Sequence, residues 1–240
     1  MKRPDGRQAN ELRPVRIRPH YVRKPEGSAL IEMGRTRVVC AASVEESVPR
    51  WMREQKVAGG WITAEYSMLP YSTSPRKPRE LSRGRPEGRT QEIQRLVGRA
   101  LRAVTDLGKL GARTVWIDCD VLEADGGTRA AAVTGSYVAL VLALRKLQAA
   151  GALAELPVKC AVAAVSVGLL DGAPVLDLCY EEDLRAEVDL NVVMTGKGEF
   201  VEVQGTGEKS PFTRRDLSGL MKLAGKGVSE LLAAQKQALA

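Results

Sequence analysis

RTVWIDCDVLEADGGTRAAAVTGSYVALVLALRKLQAAG, residues 113–151, decides the fold. RTVWIDCDVL (113–122) alternates with the period of a strand. EADGG then supplies a tight loop, and a long helix is expected from about Thr128 to Ala150 with Gly151 as its stop. A strand passing through a glycine turn into a long apolar helix makes a mixed α and β protein the natural expectation.

Similar signals extend outward from this unit. VRIRPHYV (15–22) and SALIEMGRTRVVCAASV (28–44) read as strands, with Gly34 turning a hairpin, and WITAEYSML (61–69) reads as another. Residues 45–60 carry Pro49, Gly59 and Gly60 and read as a loop. Ile93, Leu96, Val97, Ala100, Leu101 and Val104 recur at helical spacing behind Thr90, a candidate cap, and this helix should stop near Gly108 or Gly111. VKCAVAAVSVGLL (158–170) and PVLDLCY (174–180) pair across Asp171-Gly172. DLNVVMT (189–195) and EFVEVQG (199–205) pair around Gly196-Lys197-Gly198. A last helix is expected over about 214–238. The order gives an α+β class and one domain over 1–240, with an irregular basic loop at 70–88.

The 240 residues are 44% hydrophobic, 27% charged and only 4% aromatic, so the core must rest on aliphatic side chains. This balance excludes a collagen-like, mucin-like or wholly disordered chain. The first hundred residues hold 21 basic and 11 acidic side chains, the remainder 15 and 18. A basic first part favours a polyanionic partner, although scattered surface arginines would give the same count. Cys40, Cys119, Cys160 and Cys179 form no CxxC pair and read as buried free thiols. The start, Met1 to Arg7, is charged and has no apolar signal segment, and a cytoplasmic location is expected. The apolar stretch from Ala130 to Leu144 reads as too short and too polar to span a bilayer, so no membrane is expected.

Two features carry chemistry. Gly126, Gly127, Thr128 and Arg129 stand where a strand ends and a helix begins. Glycines expose amides, the helix start attracts anions, and the hydroxyl and guanidinium add donors. A plain strand-to-helix turn with a solvent-facing arginine would have the same letters. Gly88, Arg89 and Thr90 repeat the pattern at another helix start. Arginine opposes the dipole there, so finding it twice makes more sense with an anion between. The second feature is the carboxylate run Asp177, Glu181, Glu182, Asp183, Glu187 and Asp189. Asp183 and Asp189 suit Mg²⁺ beside a phosphate substrate, or one of them a general acid; a solvated acidic loop is the plain alternative. Asp189 interrupts the apolar run VDLNVVM, which that alternative does not explain. Asp118 and Asp120 share a face with Trp116, and a solvent-facing side accounts for them.

The sole histidine, His20, cannot make a His-rich metal site, and no GxxxxGK[ST] occurs. The arginines of the 70–88 loop would suit a single-stranded nucleic-acid backbone, with Trp61, Tyr66 or Tyr71 available to stack on bases.

RPDGRQANELRPV (3–15), EGSALIEMGRTRVVCAASVEESVP (26–49), GRTQEIQRLVGRALRAV (88–104), DCDVLEADGGTR (118–129) and YEEDLRAEVDLNVVMTGKGEFVEVQGTGE (180–208) together resemble the ribonuclease PH family across nearly the whole chain. That family comprises bacterial phosphate-dependent 3′ exoribonucleases that trim transfer RNA precursors. The resemblance implies a two-layer β-α-β fold like the second domain of a small-subunit ribosomal protein. It implies that Arg89, Gly127, Thr128 and Arg129 hold inorganic phosphate, the co-substrate. Asp183 and Asp189 become the catalytic pair that holds Mg²⁺, or Mn²⁺ in its place. Arg76 and Arg79 match family arginines that reach transfer RNA, while Tyr71 stands where the family commonly has arginine. A homo-hexamer, a trimer of dimers, is the implied assembly. Two rivals remain: a hydrolytic exonuclease using the same carboxylates, and a catalytically silent RNA-binding ring subunit.

Overall fold

A computed structural model describes residues 3–240. Along the chain come β1 (Val15–Pro19), β2 (Gly27–Met33), β3 (Thr36–Glu45), α1 (Arg50–Glu54), β4 (Trp61–Met68), α2 (Gly88–Ala103), α3 (Leu107–Leu110), β5 (Thr114–Glu123), α4 (Thr128–Ala149), β6 (Val162–Leu170), β7 (Ala173–Leu176), α5 (Tyr180–Arg185), β8 (Val188–Thr195), β9 (Phe200–Gly207) and α6 (Arg214–Ala238). One sheet runs β1-β2-β3-β5-β4 and the other β7-β6-β8-β9. The β4–β5 pair is parallel and the others are antiparallel.

Helix α4 packs against β2, β3 and β5 of the first sheet and β6 of the second. Small residues permit that double approach. A Cβ on Gly135 would stand 2.8 Å from both Cys40 Sγ and Ile31 Cγ2. The helix has 22 residues and is long and apolar enough to cross a membrane by length and composition, which corrects the expectation that this stretch is too short and too polar. It is instead mostly buried, and its residues join those of both sheets in one hydrophobic core. Helix α2 turns Ile93, Leu96, Val97, Ala100 and Leu101 inward, as its spacing predicts. Every residue of β6 is buried, consistent with its unbroken apolar run.

Several local expectations change. Residues 45–60 contain the short helix α1. Thr90 does not cap α2; it lies inside the helix, buried, and donates its hydroxyl to Glu80 Oε1 at 2.7 Å. The strand expected over 174–180 stops at Leu176 because Asp177 takes φ +55°. The 70–88 loop is irregular as expected, with single 3-10 turns at Pro70–Ser72 and Glu80–Arg83. All four cysteines are free, and all but half-buried Cys160 are buried.

Candidate active site

Strand β5 delivers the chain to a turn in which Gly126 and Gly127 have φ +74° and +66°. A Cβ on Gly126 would come within 2.6 Å of the Leu178 carbonyl oxygen, so both backbone conformation and space demand glycine. Helix α4 then starts with no side-chain cap and no acidic residue in its first turn. Its leading N–H groups and positive dipole end are left for an external acceptor. Arg129 projects from this turn. It donates to Gln204 Oε1 at 2.6 Å and lies 3.5 Å from Glu92 Oε2.

Helix α2 likewise starts with neither a capping side chain nor an acidic residue in its first turn, and it carries Arg89. The preceding loop is tied down by Glu80, which receives the Thr90 hydroxyl, the Glu87 N–H at 3.1 Å and the Lys77 ammonium at 3.1 Å. Burial raises the Glu80 pKa, but these three donors outweigh it and hold the carboxyl below its ordinary value. Arg89 therefore springs from a fixed loop end.

Asp183 sits on α5 and Asp189 on β8. With Arg89, Arg129, Asn191 and Gln204 they line one cleft of about 460 Å³. Burial raises the Asp183 pKa against the opposing charges of Arg89 and Arg129. Asp189 is pushed up to about 6, first by burial and then by the neighbouring Asp183, with Arg129 and the Asn191 amide (3.2 Å) opposing. Two carboxylates raised chiefly by burial thus share one cleft with two guanidinium groups, so the cleft presents charges of both signs.

The cleft unites Arg89, Arg129, Asp183 and Asp189. Gly127, in the turn before Arg129, is not among the residues lining the cleft. Thr128 is likewise not among the lining residues; its hydroxyl is buried and accepts a 2.8 Å hydrogen bond from Tyr66. Arg76 and Arg79 are exposed and are not among the cleft residues; the charge of Arg79 acts on Asp120, on the outer side of β5. Two of the aromatic residues considered for base stacking are engaged elsewhere. Tyr66 is buried, and Trp61 packs edge-on against Trp51 with Arg102 across its ring. Tyr71 is 69% exposed. Glu92, Gln204 and Asn191 were not foreseen. Glu92 follows Arg89 by one helical turn, which is a visible signal, whereas Gln204 has no local signature.

Residues 11–146 match domain 1 of the 3′ exoribonuclease family and residues 160–227 match its domain 2. Ribonuclease PH of Syntrophomonas wolfei subsp. wolfei is 56% identical over 239 residues, covering 100% of this chain and 99% of that relative. Ribonuclease PH of Moorella thermoacetica is 58% identical over 239 residues, covering 100% and 95%. The chain belongs to the 3′ exoribonuclease family. Its activity is that of a phosphorolytic nucleotidyltransferase, removing nucleotides from RNA 3′ ends with phosphate as co-substrate. The fold is shared with a chain of the Archaeoglobus fulgidus exosome with RNA bound to the active site (TM-score 0.81, 24% identity, 96% of this chain and 91% of that one). It is shared also with rice (Oryza sativa) Rrp46 (TM-score 0.76, 20% identity, 99% and 100%).

Proposed function

We propose that inorganic phosphate binds between Arg89 and Arg129, at the uncapped starts of α2 and α4, and attacks the last phosphodiester of an RNA strand beside Asp183 and Asp189. An oxygen of the phosphate bonds to the phosphorus of that linkage, and the bond from phosphorus to the 3′-oxygen of the preceding ribose breaks. The last nucleotide leaves as a nucleoside 5′-diphosphate, and the shortened strand keeps its 3′-oxygen, which takes up a proton. The chain has only to bring two anions together and hold them in line, so no protein nucleophile is required. Arg89 and Arg129 offset the repulsion, and the α4 amides with the Thr128 N–H fix the phosphate's orientation.

Among the described residues, no group of three or more His, Cys, Asp or Glu side chains is placed to hold a metal. Asp183 and Asp189 nevertheless fit Mg²⁺, which takes one or two carboxylates and completes its shell with water and substrate phosphate; Mn²⁺ suits the same donors. When bound there, the ion would supply positive charge to the phosphoryl oxygens.

The substrates are transfer RNA precursors and other single-stranded 3′ ends in the cytoplasm, with Arg76 and Arg79 gripping the RNA outside the cleft. The working form is a homo-hexamer, a trimer of dimers. The observation that carries the catalytic proposal is the convergence of two arginine-bearing, uncapped helix starts with two carboxylates on one cleft. The test is incubation of a 3′-extended RNA with and without inorganic phosphate. Nucleoside diphosphates released only with phosphate are expected. Monophosphates released without it would establish hydrolysis instead.

A further inference from the structure

The segment before β1 is remote in sequence from the cleft, yet it reaches both halves of it. Asp177 is its anchor: fully buried, at φ +55°, in the left-handed region that few non-glycine residues adopt and that aspartate tolerates better than most. Its carboxylate accepts from Arg13 three times, from the backbone N–H at 2.8 Å, Nε at 2.9 Å and Nη2 at 2.6 Å. Arg7 Nη1 adds a contact at 3.4 Å. The same Arg13 guanidinium donates to the carbonyls of Asp125 and Gly126, in the turn that launches α4. A Cβ on Gly127 would lie 2.8 Å from Arg13 Nη2, so the turn rests directly on this side chain.

Arg3 serves the other half. Its Nε and Nη2 donate to the two carboxylate oxygens of Glu182 at 2.7 and 2.8 Å, and Nη2 also donates to the Asp177 carbonyl at 2.9 Å. Arg3 and Glu182 side chains are 1% and 2% exposed. Glu182 immediately precedes Asp183 and accepts the Cys179 N–H at 2.9 Å, holding the start of α5. A two-turn helix of six residues has little stability of its own, so its orientation depends on what holds it.

We propose that Arg13 and Arg3 are positioning residues for phosphorolysis: Arg13 sets the phosphate-binding turn, Arg3 sets the helix carrying Asp183, and Asp177 joins them into one frame. This rests on the phosphorolytic assignment of the cleft. Buried ion pairs are poor stabilisers, because desolvation offsets their attraction, and apolar replacements often match them. What a fork-to-carboxylate pair does supply is a fixed geometry. Two such pairs meeting on one buried aspartate, each ending at a different half of one cleft, fit a positioning role.

The test compares full-length wild type, Arg13→Lys, Arg3→Lys, Arg3→Met and the double variant Arg3→Met/Glu182→Gln, by thermal melting and by steady-state trimming of a 3′-extended RNA at varied phosphate. Glu182→Gln removes the charge that Arg3→Met strands while keeping an acceptor for the Cys179 N–H. The double variant should therefore recover melting temperature over Arg3→Met. Its kcat should nevertheless stay about tenfold or more below wild type, with KM for phosphate nearly unchanged. Arg13→Lys should raise KM for phosphate about fivefold, with a smaller change in kcat. Recovery of kcat together with melting temperature in the double variant would overturn the proposal by making the pair merely structural. If the Met variants do not fold, Arg3→Lys decides: it retains the charge and loses the fork, so full kcat there overturns the proposal and a lowered kcat supports it. The wild-type control separates the two claims. A wild type without phosphate-dependent trimming refutes the assignment of the cleft, whereas an active wild type with unaltered variants refutes only the positioning role.

Discussion

Arg129 donates to Gln204 Oε1 at 2.6 Å, tying the first turn of α4 to β9, the edge strand of the other sheet. The guanidinium proposed to hold the phosphate is thereby aimed from outside its own helix.

Replacing Gln204 with Ala should loosen that aim without removing the charge. One hydrogen bond to a charged group is worth about 1.5–3 kcal/mol, so KM for phosphate should rise roughly 10- to 150-fold while RNA affinity holds. Initial rates at varied phosphate check this, and an unchanged KM would mean the contact does not orient Arg129 in solution.

Arg129→Ala should abolish phosphate-dependent cleavage, by about 10²-fold or more, because one of two cations offsetting anion repulsion is gone. Binding of a 3′-extended RNA, measured by fluorescence anisotropy, should change little. Cleavage at the wild-type rate under limiting phosphate would rule out this residue as a phosphate ligand.

Asp183→Asn and Asp189→Asn should each block turnover while leaving the fold intact. Normal rates in both, read from the released diphosphates, would exclude a catalytic or metal-holding role for the pair.

Asp189 also predicts a pH effect on stability. Its folded pKa of about 6 exceeds the unfolded value of 3.8, so its ionisation opposes folding. The folded state carries no penalty below pH 3.8. The penalty grows as pH rises towards about 6 and is complete above it. In metal-free protein at neutral pH it should be on the order of 1–3 kcal/mol. Asp189→Asn should therefore melt above wild type near pH 7.5, with the gap closing towards pH 4. A gap independent of pH would show that Asp189 is not strained by its surroundings.

Gly126→Ala should be destabilising and nearly inactive. The added methyl meets the Leu178 carbonyl oxygen at 2.6 Å, and φ +74° is unfavourable for alanine. Circular-dichroism melts together with trimming rates test it; wild-type behaviour in both would show that the turn can relax.

The strand–turn–helix unit from Thr114 to Ala149 and the final helix could be read from periodicity and glycine placement, because those signals are local. The same held for the two helix starts bearing Arg89 and Arg129. Thr90 illustrates the limit. A hydroxyl near a helix start reads as a cap, yet the helix begins two residues earlier and the hydroxyl goes to Glu80 instead. Glu80 lies ten residues away in a loop without periodicity, so nothing local announces that bond. Asp177 was visible only as one carboxylate in an acidic run, and its left-handed backbone and three arginine partners were not.

By itself the sequence determined the main strands, the three long helices, the placement of arginine at two helix starts and the family to which such strings belong. These follow from neighbours along the chain: side-chain periodicity, glycine at tight turns and charge at helix ends. Only the tertiary structure decided that Arg89, Arg129, Asp183 and Asp189 share a cleft, that the Thr128 hydroxyl accepts from Tyr66, and that Arg3 and Arg13 tie the segment before β1 to the α4 turn and to α5. Those outcomes depend on how two sheets close around α4, and side-chain contacts between residues 164 to 179 apart leave no periodic trace for a linear reading to follow.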